Sequence, residues 1–209
     1  MIDSITFETA HLLGDALPSM YRLRHRVFVE RQNYEVPNYR GMEWDQFDTP
    51  AAVYLLWRDD DRRVRGMMRL IPTTFPYMVK ELWPQLMENG DLPSRPSTWE
   101  ITRFGVDREL EPELRKRVCA ELVCGMFEYA LSAGITDYLC LTMLPVLRNA
   151  IGKAGCTVEL LGTPQKLGGL PVVVGKFGVT RNALGKVRRH HGVQEPILRI
   201  VEEQSAQAA

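Results

Sequence analysis

The order of elements in this 209-residue chain predicts an α/β protein of the α+β sandwich kind, one mixed sheet flanked by helices. Three observations carry that reading. Two apolar runs, residues 51–58 and 64–71, are joined by the polar turn Asp59-Asp60-Asp61-Arg62-Arg63 and read as an antiparallel hairpin. Residues 111–133 form the clearest helix, with Pro112 in the first turn, Leu114, Val118, Leu122, Val123, Met126, Phe127 and Ala130 at helical spacing, and Gly134 placed as a C-cap. Downstream, apolar strand segments at 137–143, 156–161 and 172–179 are interrupted by a helix over 145–154 that ends at Gly155, which is how a sheet covered by helices is written.

Taken in order, residues 4–8 read as a short strand, and Gly14 and Asp15 mark a break before a helix from about Pro18 to Gln32. On it Arg24, Phe28 and Arg31 fall at i, i+4 and i+7 beside an apolar stripe of Met20, Leu23 and Val27, so one face packs and its neighbour carries cations. Residues 33–50 have no periodicity, yet hold Tyr34, Tyr39, Trp44 and Phe47; a loop of that length and composition is packed down or functional. Its carboxylates, Glu43, Asp45 and Asp48, lack calcium-loop spacing and are candidates to pair with Arg24 and Arg69 or with a cationic ligand. Residues 76–86 read as a short helix, 89–96 as an exposed loop, 99–106 as a strand and 181–191 as a basic helix or turn. Residues 1–201 are thus read as one domain and 202–209 as a frayed tail.

Charge stands where strands should carry none. Arg69 sits among Met67, Met68, Leu70 and Ile71, while Glu100 and Arg103 sit among Trp99, Ile101, Phe104 and Val106. Buried charges need partners, so these three pair with one another, lie on a solvated face, or build a site. Strict alternation puts Glu100 and Arg103 on opposite faces; a shared site therefore requires a bulge or splay near Thr102.

Zero formal net charge removes the bulk electrostatic case for a nucleic-acid or membrane-surface partner, and the short basic cluster Lys186–His191 reads as a solvated helix. No apolar run reaches membrane-spanning length and the first residues lack a signal-peptide pattern, so a cytoplasmic protein is expected. Cys119, Cys124, Cys140 and Cys156 show no metal-ligand spacing and read as reduced core thiols; no metal site is expected. The four histidines have no nucleophile in a triad context.

The run Gly66-x-x-Arg69-Leu70-x-Pro72-Thr73-Thr74-x-Pro76-x-Met78, followed by Trp99-Glu100-x-x-Arg103-Phe104, resembles the signature of the LuxI-type acyl-homoserine lactone synthases, which make quorum-sensing autoinducers. Arg24-x-x-x-Phe28 and Asp45-x-x-Asp48 extend the resemblance. It implies a Gcn5-related N-acetyltransferase-like fold and a reaction in which an acyl group passes from a thioester to the amine of S-adenosylmethionine, followed by lactone closure with release of methylthioadenosine. Both are substrates, and no cofactor is implied.

By matching position the resemblance assigns Arg24, Phe28, Tyr34, Asp45, Asp48, Arg69, Glu100 and Arg103 to the site. Glu100 is expected as the base, with a raised pKa if desolvation dominates and a lowered one if Arg103 or Arg69 pairs with it. Asp45 and Asp48 are expected to hold an arginine lattice and the sulfonium cation, and Arg24, Arg69 or Arg103 the substrate carboxylate. Backbone N–H groups near Arg103 and Phe104 are expected to polarise the thioester carbonyl. Tyr34 and Trp83 stand where the family usually has Trp and Phe. The acyl pocket is expected from residues 138–143, the helix from Pro145 and residues 172–174, with Thr142 either touching the acyl chain or serving as an ordinary strand threonine.

The donor stays open between acyl-CoA and acyl-carrier protein. The segment 107–113 has no glycine and four acids, which oppose a phosphate, and Arg115, Lys116 and Arg117 would suit an acidic carrier. Tyr34 and the neutral net charge look closest to the branch that accepts CoA thioesters of branched or aryl acids. An N-acyltransferase with another amine acceptor, or a non-catalytic acyl or nucleoside binder, are the competing readings.

Overall fold

The structure is a computed structural model that describes residues 1–88 and 92–202. Part of the loop expected at 89–96 and nearly all of the expected tail lie outside those residues. In chain order the elements are β1 (Ile2–Ile5), α1 (Ala16–Arg24), β2 (Asn38–Tyr39), β3 (Met42–Glu43), β4 (Val53–Arg58), β5 (Val64–Pro72), α2 (Met78–Leu82), β6 (Thr98–Val106), α3 (Pro112–Ala133), β7 (Asp137–Thr142), α4 (Leu144–Ala150), β8 (Val158–Leu160), β9 (Gln165–Leu167), β10 (Leu170–Gly178), α5 (Arg181–His191) and β11 (Leu198–Ile200).

The strands form one mixed sheet in the order β11-β1-β4-β5-β6-β7-β10-β8, with β9 added to β10 and β2–β3 a separate hairpin. Two pairs, β1–β11 and β6–β7, are parallel. Helices cover both faces. On one, α3 and α5 pack on Met68, Leu70, Ile101, Tyr138 and Phe177. Gly66 lets α3 close in, because a Cβ there would meet Val118 Cγ1 at 2.5 Å. Gly134 ends α3 in the left-handed conformation, φ 71°, where a glycine costs least.

The other face holds two clusters. Met20, Leu23, Val27 and Phe28 pack on Tyr54, Leu56 and Met67, as the apolar stripe of the first helix predicts. Beside them Phe47, Ile71, Tyr77, Val79, Leu86, Leu139, Leu161 and Val174 form a smaller one.

Several boundaries differ from expectation for local reasons. The first helix starts at Ala16 and passes at His25 into a π-helical turn that runs to Arg31, a rare form that is frequent at functional sites. The helix expected over 76–86 breaks at Trp83 (φ −141°, ψ 50°), since the residue before Pro84 is pushed out of the helical region, and resumes as a 3₁₀ turn at Pro84–Leu86. The first strand is Ile2–Ile5, which begins two residues before and ends three residues before the run expected at 4–8. Two three-residue strands, β9 and β11, were not anticipated; such short segments show no readable period.

At the centre of the sheet the expected irregularity is present. Met67 pairs with Gly105 and Arg69 with Thr102, so Arg103 and Phe104 both oppose Met68: a bulge, with Arg103 in the left-handed region at φ 51°. On its other side β6 pairs with β7 only over Thr98–Ile101 and Asp137–Cys140, beyond which the ladder stops.

Candidate active site

Bulge, π turn and the 43–48 loop converge on one face of the sheet. Arg24 leaves the end of α1, Arg69 rises from β5 and Arg103 from the bulge, and the positive φ turns Arg103 onto the face of Glu100 and Thr102 that alternation would deny it. The loop supplies Glu43, Asp45 and Asp48. Three guanidiniums meet three carboxylates: Arg24 bonds Glu43 and Asp48 (2.6 Å to Oδ1), Arg69 bonds Asp45 (2.6 and 3.0 Å) and Asp48 (2.8 Å), and Arg103 bonds Asp45 (2.6 Å) and Glu43 (3.0 Å). Arg69 Nε also donates to Thr102 Oγ1 at 2.9 Å, and the Tyr54 hydroxyl donates to Asp48 at 2.8 Å.

Formal charges cancel within this lattice. That balance, with every ion hydrogen-bonded, is what allows Arg24 and Arg69 to lie 1% exposed. Burial pushes the Asp48 carboxyl up, but Arg69 and Arg24 outweigh it and hold it at about 2; Asp45 is lowered in the same way by Arg69 and Arg103. Burial acts against the charge of Arg24 and Arg69, and their carboxylate partners outweigh it and raise both.

Glu100 stands apart from the lattice. It is 1% exposed, and its two oxygens accept the N–H groups of Met78 and Val79, both at 2.8 Å, at the start of α2. Arg103, one of its two expected partners, is committed to Glu43 and Asp45. Burial therefore dominates and pushes the Glu100 carboxyl up to about 7, with the N–H groups of Val79 and Met78 and the field of Arg69 opposing. A carboxyl poised there can take up a proton near neutral pH.

An aromatic wall flanks the lattice. Phe28 lies under Arg103, whose guanidinium carbon is 5.2 Å from the ring centroid, and Tyr34 stacks on Phe28 at 6.2 Å and 14°. Burial raises the Tyr34 hydroxyl above its ordinary value against the pull of Arg103, so the ring is neutral. Arg31 does not join them; it is exposed and feels Arg108 and Arg115.

The remaining expected residues are more scattered. Trp83 packs half-buried on the cluster that holds Phe47 and Val174. The Phe104 ring packs on the α3-side core, leaving only its backbone at the bulge. Of the strand expected to line an acyl pocket, Leu139 and Leu141 face the Glu100 side, while Tyr138 and Cys140 belong to the α3-side core and Tyr138 donates to Met126 O at 3.1 Å. Thr142 has the parity of Tyr138 and Cys140 and pairs with Val173, as an ordinary strand threonine does.

Glu43, fully buried, pairs with Arg24 as expected of the loop carboxylates, and it also bonds Arg103, a partner not anticipated for it. One member of the site went unassigned at the sequence level. Met78 places its sulfur 3.3 Å from Arg69 Nη2 and 3.6 Å from Arg103 Nη1, a contact that only the fold reveals. Among the described residues no group of His, Cys, Asp or Glu is arranged to hold a metal ion, and no helix is long and apolar enough to cross a membrane.

Residues 10–187 match the family model described as autoinducer synthase. An acyl-homoserine-lactone synthase of Agrobacterium fabrum is 31% identical over 175 residues, covering 82% of each chain. An isovaleryl-homoserine lactone synthase of Bradyrhizobium diazoefficiens is 35% identical over 167 residues, 78% of this chain and 73% of that one. Among solved structures, the CoA-dependent acyl-homoserine lactone synthase BjaI, seen with SAM and isopentyl-CoA, superposes with a TM-score of 0.82 at 31% identity over 96% of this chain and 92% of that one. A putative N-acetyltransferase from Lactobacillus plantarum, TM-score 0.55 at 17% identity over 86% of this chain and 99% of that one, shares the fold.

Proposed function

The chain belongs to the autoinducer synthase family and is an acyl-homoserine-lactone synthase, an acyltransferase; from that premise we propose that residues 1–201 form one catalytic domain that acts in the cytoplasm on S-adenosylmethionine and a short branched or aryl acyl-CoA. The observation that carries the chemical part is Glu100: a buried carboxyl with a pKa of about 7, beside a neutral lattice that has one accessible cation.

Glu100 acts as the general base, directly or through a water, and takes the proton that the substrate amine loses as it attacks the thioester carbonyl. The amine–carbonyl bond forms, the sulfur leaves as thiolate, and the methionyl carboxylate then closes the lactone by displacing methylthioadenosine. Arg103 receives that carboxylate. It is the most exposed of the three arginines, at 10%, and its Nη1 is engaged only by the Met78 sulfur, whereas all three nitrogens of Arg24 and of Arg69 are already bonded. Arg24, Arg69, Asp45 and Asp48 hold the lattice rigid, with Asp45 nearest to serve the sulfonium. Phe28 and Tyr34 form the wall against which the nucleoside lies.

The carbonyl oxygen is met by backbone N–H groups of the bulge at Arg103 and Phe104, and the acyl chain runs past Trp83, Leu139 and Leu141. Thr142 shares the parity of Tyr138 and Cys140 and faces away from that side, so the acyl chain does not depend on it. Similarity to the isovaleryl-homoserine lactone synthase and to BjaI supports the CoA donor. The four acids of residues 107–113 do not favour it, and an acyl-carrier-protein donor with a linear chain is the second reading, favoured by Arg115, Lys116 and Arg117 on α3.

Mass spectrometry of the purified protein with S-adenosylmethionine and a panel of branched, aryl and linear acyl groups, each as CoA and as carrier-protein thioester, tests this. Branched or aryl acyl-homoserine lactone with equimolar methylthioadenosine from the CoA thioesters is the expected result. Product from carrier-protein thioesters alone would overturn the donor.

A further inference from the structure

Two segments far apart in the chain are fastened together at the outer edge of the apolar cluster next to Glu100. The exposed carboxylate of Glu88 accepts three hydrogen bonds from one loop: Thr163 N–H at 3.0 Å, Thr163 Oγ1 at 2.8 Å and Gln165 Nε2 at 3.0 Å. Its own N–H donates to Leu161 O at 2.8 Å. The backbones touch as well, since a Cβ on Gly162 would stand 2.3 Å from Leu86 O. Such multiple use of one exposed carboxylate across 75 residues of sequence is not needed to solvate it; it holds two backbones in register.

What it holds is the outer edge of a small apolar cluster. Leu86 and Leu161, on either side of the clasp, are buried against Leu139 and Val174. Leu139 is the register partner of Glu100 across β6–β7. An acyl chain whose carbonyl lies at Glu100 meets charge on the lattice side and apolar side chains only on this side. Its length is therefore limited by how far the Leu86 and Leu161 backbones can part.

We propose that the Glu88 clasp is a specificity-determining feature: Glu88 positions Leu86 and Leu161 and so sets the upper size of acyl group the enzyme accepts. The proposal rests on the acyl-transfer reading above. In a hydrophobic pocket each methylene changes discrimination by roughly one order of magnitude, so a clasp that yields by one or two carbons is readily measured.

The test is kcat/KM for a series of linear acyl thioesters of roughly four to twelve carbons, compared by the long-to-short ratio that each added methylene changes, with the unaltered protein, Glu88→Ala, Glu88→Gln and Gly162→Ala. Glu88→Ala, which removes the acceptor, and Gly162→Ala, which forces the backbones apart, should each raise the long-to-short ratio about tenfold while leaving KM for S-adenosylmethionine unchanged. Glu88→Gln keeps an acceptor for Thr163 N–H and a donor for its hydroxyl, and should stay near the original ratio. Equal loss at every chain length, or an unchanged ratio in both Glu88→Ala and Gly162→Ala, would overturn the proposal and leave a structural clasp. No lactone from the unaltered protein, either with the linear series or with branched and aryl thioesters, would instead overturn the acyl-transfer reading, and the proposal with it.

Discussion

Replacing Glu100 with Gln should change stability in a pH-dependent way whose size follows from burial. Its carboxyl is raised from 4.5 to about 7 with 1% of the residue exposed, so no solvent discount applies. The group binds more protons folded than unfolded. Its contribution to stability is therefore complete below pH 4.5 and is lost as pH rises through 7. Between pH 5 and pH 8 the unaltered protein should lose roughly 2 to 3 kcal/mol from this one group, at 1.36 kcal/mol per unit. Gln cannot ionise but can accept only one of the two N–H groups of Met78 and Val79, which costs about 1–3 kcal/mol at every pH. Urea unfolding of both proteins across that range reads the difference. Glu100→Gln should be clearly less stable at pH 5 and close to, or above, the parent at pH 8. A stability difference that stays flat with pH would refute the burial argument.

Asp48→Asn should cost about 3–5 kcal/mol, because it leaves Arg24 and Arg69 buried with one carboxylate too few; urea unfolding measures it. In the parent, the stability that Asp48 adds is complete above pH 3.8 and is lost as pH falls through about 2, so an acid titration of Asp48→Asn should lack that part of the loss. Arg103→Lys keeps the charge but gives up the planar fork, and should raise KM for S-adenosylmethionine about tenfold with a smaller effect on KM for the thioester. Gly66→Ala pushes a methyl into Val118 and should cost about 1–3 kcal/mol while substrate KM values hold.

Much of the site was legible because it breaks a local rule. An arginine inside Met67–Ile71 and a glutamate and arginine inside Trp99–Val106 contradict the apolar pattern around them, and the need for a bulge near Thr102 followed from parity alone; it falls one residue on, at Arg103 and Phe104. The central strands and the α3 helix with its Gly134 cap were legible for the opposite reason, since period and cap agree there, while 181–191, read as a basic helix or turn, is the helix α5. What sequence could not settle is which charge pairs with which. The state of Glu100 depends on two N–H groups brought from 21 and 22 residues upstream and on Arg103 being taken by Glu43 and Asp45. Trp83 was a missed local signal, as Pro84 after it argues against an unbroken helix. The Glu88 clasp joins loops 75 residues apart and leaves no periodic trace at all.

The most direct test of Glu100 as the base is the ratio of lactone-forming rates, parent over Glu100→Gln, measured as a function of pH with both substrates saturating. Titration of the substrate amine is common to both proteins and cancels. With Glu100 as base the ratio should climb about tenfold per pH unit below about 7 and level off above it, where the carboxylate is fully formed. A ratio that is independent of pH, or near one throughout, would contradict the assignment.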